Sequence, residues 1–220
     1  MAKSQIPSET RSPSVTSWSY MRMTGRVHTR PPTFRNDRPR RRPLLVMVSG
    51  PPGSGKSSLA RRLGEETCLP VISRDAVKAG ICFTSGGVPD DIAARAAEAF
   101  WSTLRDLSGA GVSLVAEWAL RRGRAEERLA ALDAVAEVRL VICRAPREVL
   151  ERRVRDRLAE GPHRRWPFPD AAVLAGLRDG SLAPAEFEGL DAPFPAHTVD
   201  TGDDGPPSLD RLLAFLAGDG

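Results

Sequence analysis

From residue 44 onward the chain alternates short apolar runs with longer stretches in which apolar residues recur every three or four positions. A buried parallel strand is covered on both faces and reads as a continuous apolar run, whereas a covering helix needs only one apolar stripe. The pattern predicts strands over residues 44–49, 70–73, 112–117, 138–143 and 197–200. It predicts helices over 56–66, 89–107, 146–158 and 208–216, and another containing 126–134. Pro207 stands at the start of the last helix, where a missing N–H costs no intrahelical bond. Strands and helices in this order fold as a doubly wound α/β sheet, five-stranded and parallel, with helices on both faces.

Two stretches depart from the pattern. Between residues 159 and 195, Gly, Pro and Trp leave short helical pieces at 170–177 and 184–190, where a helical lid is expected to cover a substrate. Residues 1–43 are rich in Ser, Thr, Pro and Arg, lack periodicity and end in Arg38-Pro39-Arg40-Arg41-Arg42-Pro43. They read as a disordered basic tail, followed by one domain over 44–220. An Arg-rich, acid-poor start also resembles an organelle transit peptide, but prolines run throughout and no clear amphipathic helix forms. No internal repeat is present.

The net charge of +4 divides unevenly. Residues 1–43 carry ten Lys/Arg against Glu9 and Asp37, a balance of +8, while 44–220 carry 22 Lys/Arg against 26 Asp/Glu, a balance of −4. The basic character belongs to the tail, so nucleic acid remains a possible partner there without bearing on the fold's chemistry. Cys68, Cys82 and Cys143 form no C-x-x-C pair, and His28, His163 and His197 show no metal-ligand spacing. A reducing cytoplasm fits these lone cysteines. No run approaches the roughly 20 apolar residues of a membrane span, so no membrane partner is expected.

Gly50-Pro51-Pro52-Gly53-Ser54-Gly55-Lys56-Ser57 matches the phosphate-binding pattern G-x-x-x-x-G-K-[ST] between a predicted strand and a predicted helix, the context that the motif needs. The residues so read as nucleotide contacts are Gly50, Gly53, Ser54, Gly55, Lys56, Ser57 and Ser58. Backbone N–H groups from Gly53 to Ser58 can converge on phosphate oxygens, and the helix start adds its positive dipole end. Lys56 can reach the β- and γ-phosphates of ATP, and the Ser57 hydroxyl can sit on Mg²⁺. The chain has 29 arginines but only Lys3, Lys56 and Lys78, so a lysine in the loop runs against its own bias. The only Asn and Gln, Asn36 and Gln5, lie in the tail, which removes a guanine-reading N-K-x-D and a water-positioning Gln from the fold.

Strand, P-loop and helix, followed by Val71-Ile72-Ser73-Arg74-Asp75, resemble the zeta-toxin, chloramphenicol-phosphotransferase and polynucleotide-kinase group of P-loop kinases, over roughly residues 44–205. The resemblance implies a P-loop NTPase fold and an ATP- and Mg²⁺-dependent kinase. Asp75 matches the group's base, which accepts the proton of the attacking hydroxyl; the alternative reading is a helix N-cap. Glu117 stands where similar kinases carry a carboxylate, and would hold a Mg²⁺-bound water or an acceptor hydroxyl, or else be a solvated strand end. The segment 143–157 resembles the strand and lid helix whose arginines clamp the transferring phosphate. Arg153 and Arg157, spaced i, i+4, share a helical face, with Arg152, Arg155, Arg164 and Arg165 in reserve and a solvated face as the alternative. His197-Thr198-Val199-Asp200-Thr201-Gly202 resembles the adenine-side loop, which makes Asp200 and Thr201 nucleotide contacts.

Arg121, Arg122 and Arg124 follow Glu117 and suit an anionic acceptor. Phe100, Trp101, Trp118 and Trp166 are candidates for an acceptor pocket, with core packing the expected fate of Phe100 and Trp101. The expected reaction is transfer of the γ-phosphoryl group of ATP to a hydroxyl of a small molecule. A polynucleotide 5′-hydroxyl acceptor and a regulatory module that holds ATP without transferring it are the alternatives.

Overall fold

The computed structural model describes residues 40–159, 169–191, 193–202 and 207–218. Five parallel strands, β1 (Leu44–Ser49), β2 (Val71–Ser73), β3 (Leu114–Glu117), β4 (Glu137–Arg144) and β5 (Ala196–Asp200), form one sheet in the order β2-β3-β1-β4-β5. Seven α-helices are seen among the described residues: α1 (Lys56–Thr67), α2 (Arg74–Ser85), α3 (Ile92–Gly109), α4 (Glu126–Asp133), α5 (Arg147–Ala159), α6 (Asp170–Asp179) and α7 (Leu209–Ala217).

Alternation along the strands sorts the core into two layers. Leu45 and Met47 of β1, with Leu114 and Ala116 of β3 and Leu140 and Ile142 of β4, pack beneath Phe100 and Leu104 of α3 and Leu129 of α4. Leu44, Val46 and Val48, with Val115, Val141 and Cys143, face the other way onto Leu59 and Leu63 of α1 and Leu212 and Leu216 of α7. A third cluster joins α5 to α6 through Leu150, Val154, Leu174 and Leu177.

All five expected strands form, with ends that differ by no more than two residues. Helix α2 is not predicted by the periodicity. Only Cys82 is fully buried along it, so no apolar stripe marks it, and Val77, Gly80, Ile81 and Thr84 are weak helix formers. What makes it is a cap, Ser73 Oγ accepting from the Ala76 N–H at 3.4 Å, and packing against α3. The helix expected from residue 89 begins at Ile92, because Pro89 and the residues after it form a turn closed by the Ile92 N–H on the Pro89 carbonyl at 3.1 Å. The helical piece expected over 184–190 is a single 3₁₀ turn, Pro184–Phe187.

Of the segment read as a tail, residues 40–43 are described and lie on the fold. Arg40 donates to Glu137 at 2.7 Å, and Arg42 donates to the Ala136 carbonyl at 2.6 Å. Glu137 pairs in register with Leu44, so these contacts sit at the amino end of β1, the end away from the P-loop. Among the described residues no helix is long and apolar enough to cross a membrane.

Candidate active site

Strand β1 is buried along its whole length and delivers Gly50 to the carboxyl edge of the sheet. Gly50 has φ 147°, and a Cβ there would lie 2.5 Å from the Cys143 carbonyl oxygen, so only glycine fits against β4. Gly53, at φ 88°, presses the loop on α5 in the same way, with a Cβ position 2.9 Å from the Leu150 carbonyl oxygen. The loop therefore takes its shape from contact with β4 and α5. Gly55 caps α1 with no side-chain hydrogen bond to the first helical N–H groups. Inside the loop Ser54 Oγ is buried with no hydrogen-bond partner among the described residues. Donors at a helix start with no capping side chain suit an anion, so the loop fits a nucleotide's phosphates. Ser57 and Ser58 are exposed in the first turn of α1.

Lys56, the first residue of α1, turns toward the end of β3. Its Nζ stands 3.8 Å from Glu117 Oε1, with the lysine side chain 11% and the glutamate side chain 3% exposed. Ser73 Oγ donates to the second carboxylate oxygen, Oε2, at 2.8 Å. The register explains the meeting, since Glu117 pairs with Ser73 on one side and Val48 on the other. Helix α1 follows β1 onto one face of the sheet and α4 follows β3 onto the other. The Lys56–Glu117 pair thus sits at the crevice where the winding reverses, the place where such sheets bind ligands. Glu117 is a buried residue and not a solvated strand end.

Asp75 lies in the first turn of α2, half exposed, with its carboxylate 3.6 Å from Arg74. The N-cap of α2 is Ser73, so capping is not the role of Asp75. Ser73 is the residue that sequence reasoning missed, a single hydroxyl serving both the cap and Glu117. The available signal was a serine at a strand end, two residues ahead of an acidic first turn.

Arg153 points at the P-loop backbone. It donates to the Gly53 carbonyl at 3.3 Å, the Thr201 carbonyl at 2.6 Å and the Gly202 carbonyl at 3.1 Å. Buried Thr201 makes a second tie, its Oγ1 lying 2.7 Å from the Ser54 carbonyl and 2.8 Å from the Arg144 carbonyl. Asp200 accepts from the Gly202 N–H at 2.8 Å and shapes the same turn. Arg157 does not share the target of Arg153; it pairs with buried Asp170 at 3.1 Å and ties α5 to α6. Arg152 and Arg155 are exposed on α5, and Arg164, Arg165 and Trp166 lie outside the described residues.

Beyond Glu117 the chain turns back on the P-loop, the Leu120 N–H donating to Ser49 Oγ at 3.0 Å. A pocket of ≈ 260 Å³ opens there, lined by Trp101, Trp118 and Leu120 and by Arg121 and Arg124. Phe100, Trp101 and Trp118 contact one another edge-on or tilted, with centroids 5.3–5.5 Å apart. Phe100 is wholly buried, whereas Trp101 serves both core and pocket. Arg121 stands 3.6 Å from Glu186 and over the Phe187 ring, and Arg122 donates to the Gly189 carbonyl. Behind the loop, burial pushes the Cys143 thiol up to about 12, with Lys56 pulling it down and Glu117 up by smaller amounts.

A family model described as an AAA domain matches residues 45–179. A solved structure of a candidate kinase from Chloroflexus aurantiacus is 25% identical, with a TM-score of 0.69, covering 81% of this chain and 98% of its own. The structure of APE1195 shares the fold at 16% identity and TM-score 0.54, over 80% of this chain and 94% of its own. The structure of the Pnkp1/Rnl/Hen1 RNA repair complex does so at 17% identity and TM-score 0.50, over 68% of this chain and 49% of its own. Among curated proteins none matches the sequence. The P-loop, the five-stranded sheet and these likenesses agree with the kinase group read from residues 50–75, and the chain belongs to the AAA domain family of P-loop proteins.

Proposed function

We propose that the protein transfers the γ-phosphoryl group of ATP to a hydroxyl of a small-molecule acceptor. The observation that carries this reading is Lys56, at a helix start with no capping side chain, facing buried Glu117 across the reversal crevice at 3.8 Å, next to a walled pocket. The N–H groups of Gly53 and of Gly55 to Ser58, with the Lys56 ammonium, bind the phosphates, the Ser54 N–H being taken by the Pro51 carbonyl at 3.1 Å, and Ser57 would hold Mg²⁺. Magnesium, when bound, offsets the charge that builds on the phosphate oxygens.

The acceptor hydroxyl attacks the γ-phosphorus as the bond to the bridging β–γ oxygen breaks; ADP leaves and the hydroxyl proton passes to the Asp75 carboxylate. Glu117 orients the acceptor hydroxyl from the floor of the crevice, or would hold a water of the magnesium shell. Arg153 holds the loop in its binding shape, with Arg157 fixing the helix pair α5–α6 behind it, and Asp200 sets the turn at the adenine side. The lone thiols Cys68, Cys82 and Cys143 suit a reducing cytoplasm.

A polynucleotide 5′-hydroxyl is the second acceptor reading, favoured by the +8 charge of residues 1–43. The test is transfer from γ-labelled ATP with Mg²⁺ to a panel of sugars, nucleosides, antibiotics and 5′-hydroxyl oligonucleotides. Lys56→Ala serves as the control. Label on a small acceptor, lost in the control, supports the proposal. Label on oligonucleotides alone, reduced by deleting residues 1–39, moves it to the second reading. ATP binding with no transfer to any acceptor overturns both in favour of a regulatory module.

A further inference from the structure

Resting on the phosphotransferase reading, we infer that the acceptor is a small ring compound carrying an anionic group, a phosphate or a carboxylate. Its ring stacks in the Trp101–Trp118 pocket, and Arg124 holds its charge.

The first support is a count of charge around the crevice. Around it stand Lys56, Arg74, Arg121, Arg122 and Arg124, of which Arg122 is turned to the Gly189 carbonyl at 2.8 Å. Three carboxylates answer them, Glu117 on Lys56, Asp75 on Arg74 and Glu186 on Arg121. Arg124 has no ion pair among the described residues, although it lines the pocket. The neighbouring Glu126 makes no ion pair with it; its carboxylate oxygens turn instead to the N–H groups of Gly123 at 2.9 Å, Ala125 at 3.0 Å and Asp191 at 3.3 Å. A guanidinium fork on a pocket wall, with its neighbours already paired, recognises a planar or tetrahedral oxyanion.

The second support is the apolar wall. The Trp101 and Trp118 rings, 5.5 Å apart, contribute to one pocket, and Arg74 lies over the Trp118 ring at 5.4 Å, which fixes that indole in place. Held indoles offer stacking area at little entropic cost. The volume of ≈ 260 Å³ lies just below the usual range for small-molecule sites, which is room for one ring with its substituent. The Leu120–Ser49 hydrogen bond puts this wall one residue before the P-loop, within reach of a transferred phosphate.

The experiment measures binding by calorimetry with Mg²⁺ and a non-hydrolysable ATP analogue occupying the donor site. The probes are matched pairs, glucose with glucose 6-phosphate, glucose with glucuronate, and uridine with uridine monophosphate. We expect the charged member of at least one pair to bind about tenfold or more tighter than the neutral one. That preference should fall below about threefold in Arg124→Ala and weaken as salt rises, while nucleotide affinity holds. A phosphate-only or a carboxylate-only preference identifies which anion the site takes. Equal binding of the paired compounds, no binding of any, or a preference that survives Arg124→Ala overturns the inference. Because binding is read without chemistry, a failure here leaves the phosphotransferase reading to its own assay, and a catalytically silent protein still tests this pocket.

Discussion

Lys56 and Glu117, the first residue of α1 and the last of β3, meet across the crevice with 3.8 Å between Nζ and Oε1 while both are nearly sealed from solvent. A buried charge is costly without a partner, and each of these has the other. Glu117 therefore holds the lysine at the mouth of the loop, and an incoming phosphate competes for it. Glu117→Gln should lower kcat by about 100-fold or more through lost orientation of the acceptor hydroxyl, and should lower KM for ATP, because the phosphates no longer compete with a carboxylate for Lys56. The double variant with Lys56→Ala should lose less than the sum of the single losses. Steady-state kinetics of the four proteins checks this, and additive losses would refute the coupling.

Asp75 and Ser73 stand two residues apart with separable duties. Asp75→Asn should cut transfer by about 100- to 10,000-fold with nucleotide binding and thermal stability unchanged, the signature of a lost base. Ser73→Ala should instead cost about 0.5–2 kcal/mol of stability through the α2 cap. It should also lower transfer by freeing Glu117 Oε2 from its 2.8 Å hydrogen bond. Melting curves beside transfer rates separate the two. Full activity in Asp75→Asn would remove it as the base.

The strands were legible because both faces of this sheet are covered, so each strand is an apolar run bounded by polar turns. The P-loop was legible because phosphate binding constrains glycine and lysine at fixed spacing. Helix α2 was not, since it is held by one serine cap and by α3 and carries only Cys82 into the core. The target of Arg153 was equally hidden. Spacing puts an arginine on a helix face, but whether the guanidinium meets a phosphate or the carbonyls of Gly53, Thr201 and Gly202 depends on where distant backbone falls.

Arg153 and Thr201 together staple the P-loop to the turn after β5. Thr201→Val keeps the shape of the side chain but leaves the Ser54 and Arg144 carbonyls without their hydroxyl donor, a loss of about 1–3 kcal/mol. One hydroxyl proton is shared between those carbonyls, so the loss should be nearer one hydrogen bond than two. Arg153→Lys should rescue little of what Arg153→Ala loses, because an ammonium cannot span three carbonyls as a fork does. Both should raise KM for ATP more than they lower kcat. An unchanged KM would mean that the staple does not shape the loop.

Cys143 gives the fold a defined weakness at alkaline pH. Its thiol ordinarily titrates near 9.0, and burial behind Gly50 pushes it up to about 12. Between those values the unfolded chain has lost the proton while the folded chain keeps it, so unfolding releases a proton and stability falls as pH rises. The full contribution is present below pH 9. Above it the loss from this group approaches about 1.4 kcal/mol per pH unit. Denaturant unfolding from pH 8 to 11 should show a shallower decline in Cys143→Ala than in the parent, whatever the absolute stability of the variant. A thiol reagent at pH 8 should correspondingly label Cys68 at once, and Cys143 only as the protein unfolds. Parallel declines in the parent and in Cys143→Ala, or rapid labelling of Cys143 in the native state, would show that the thiol behind the P-loop is not held neutral by its burial.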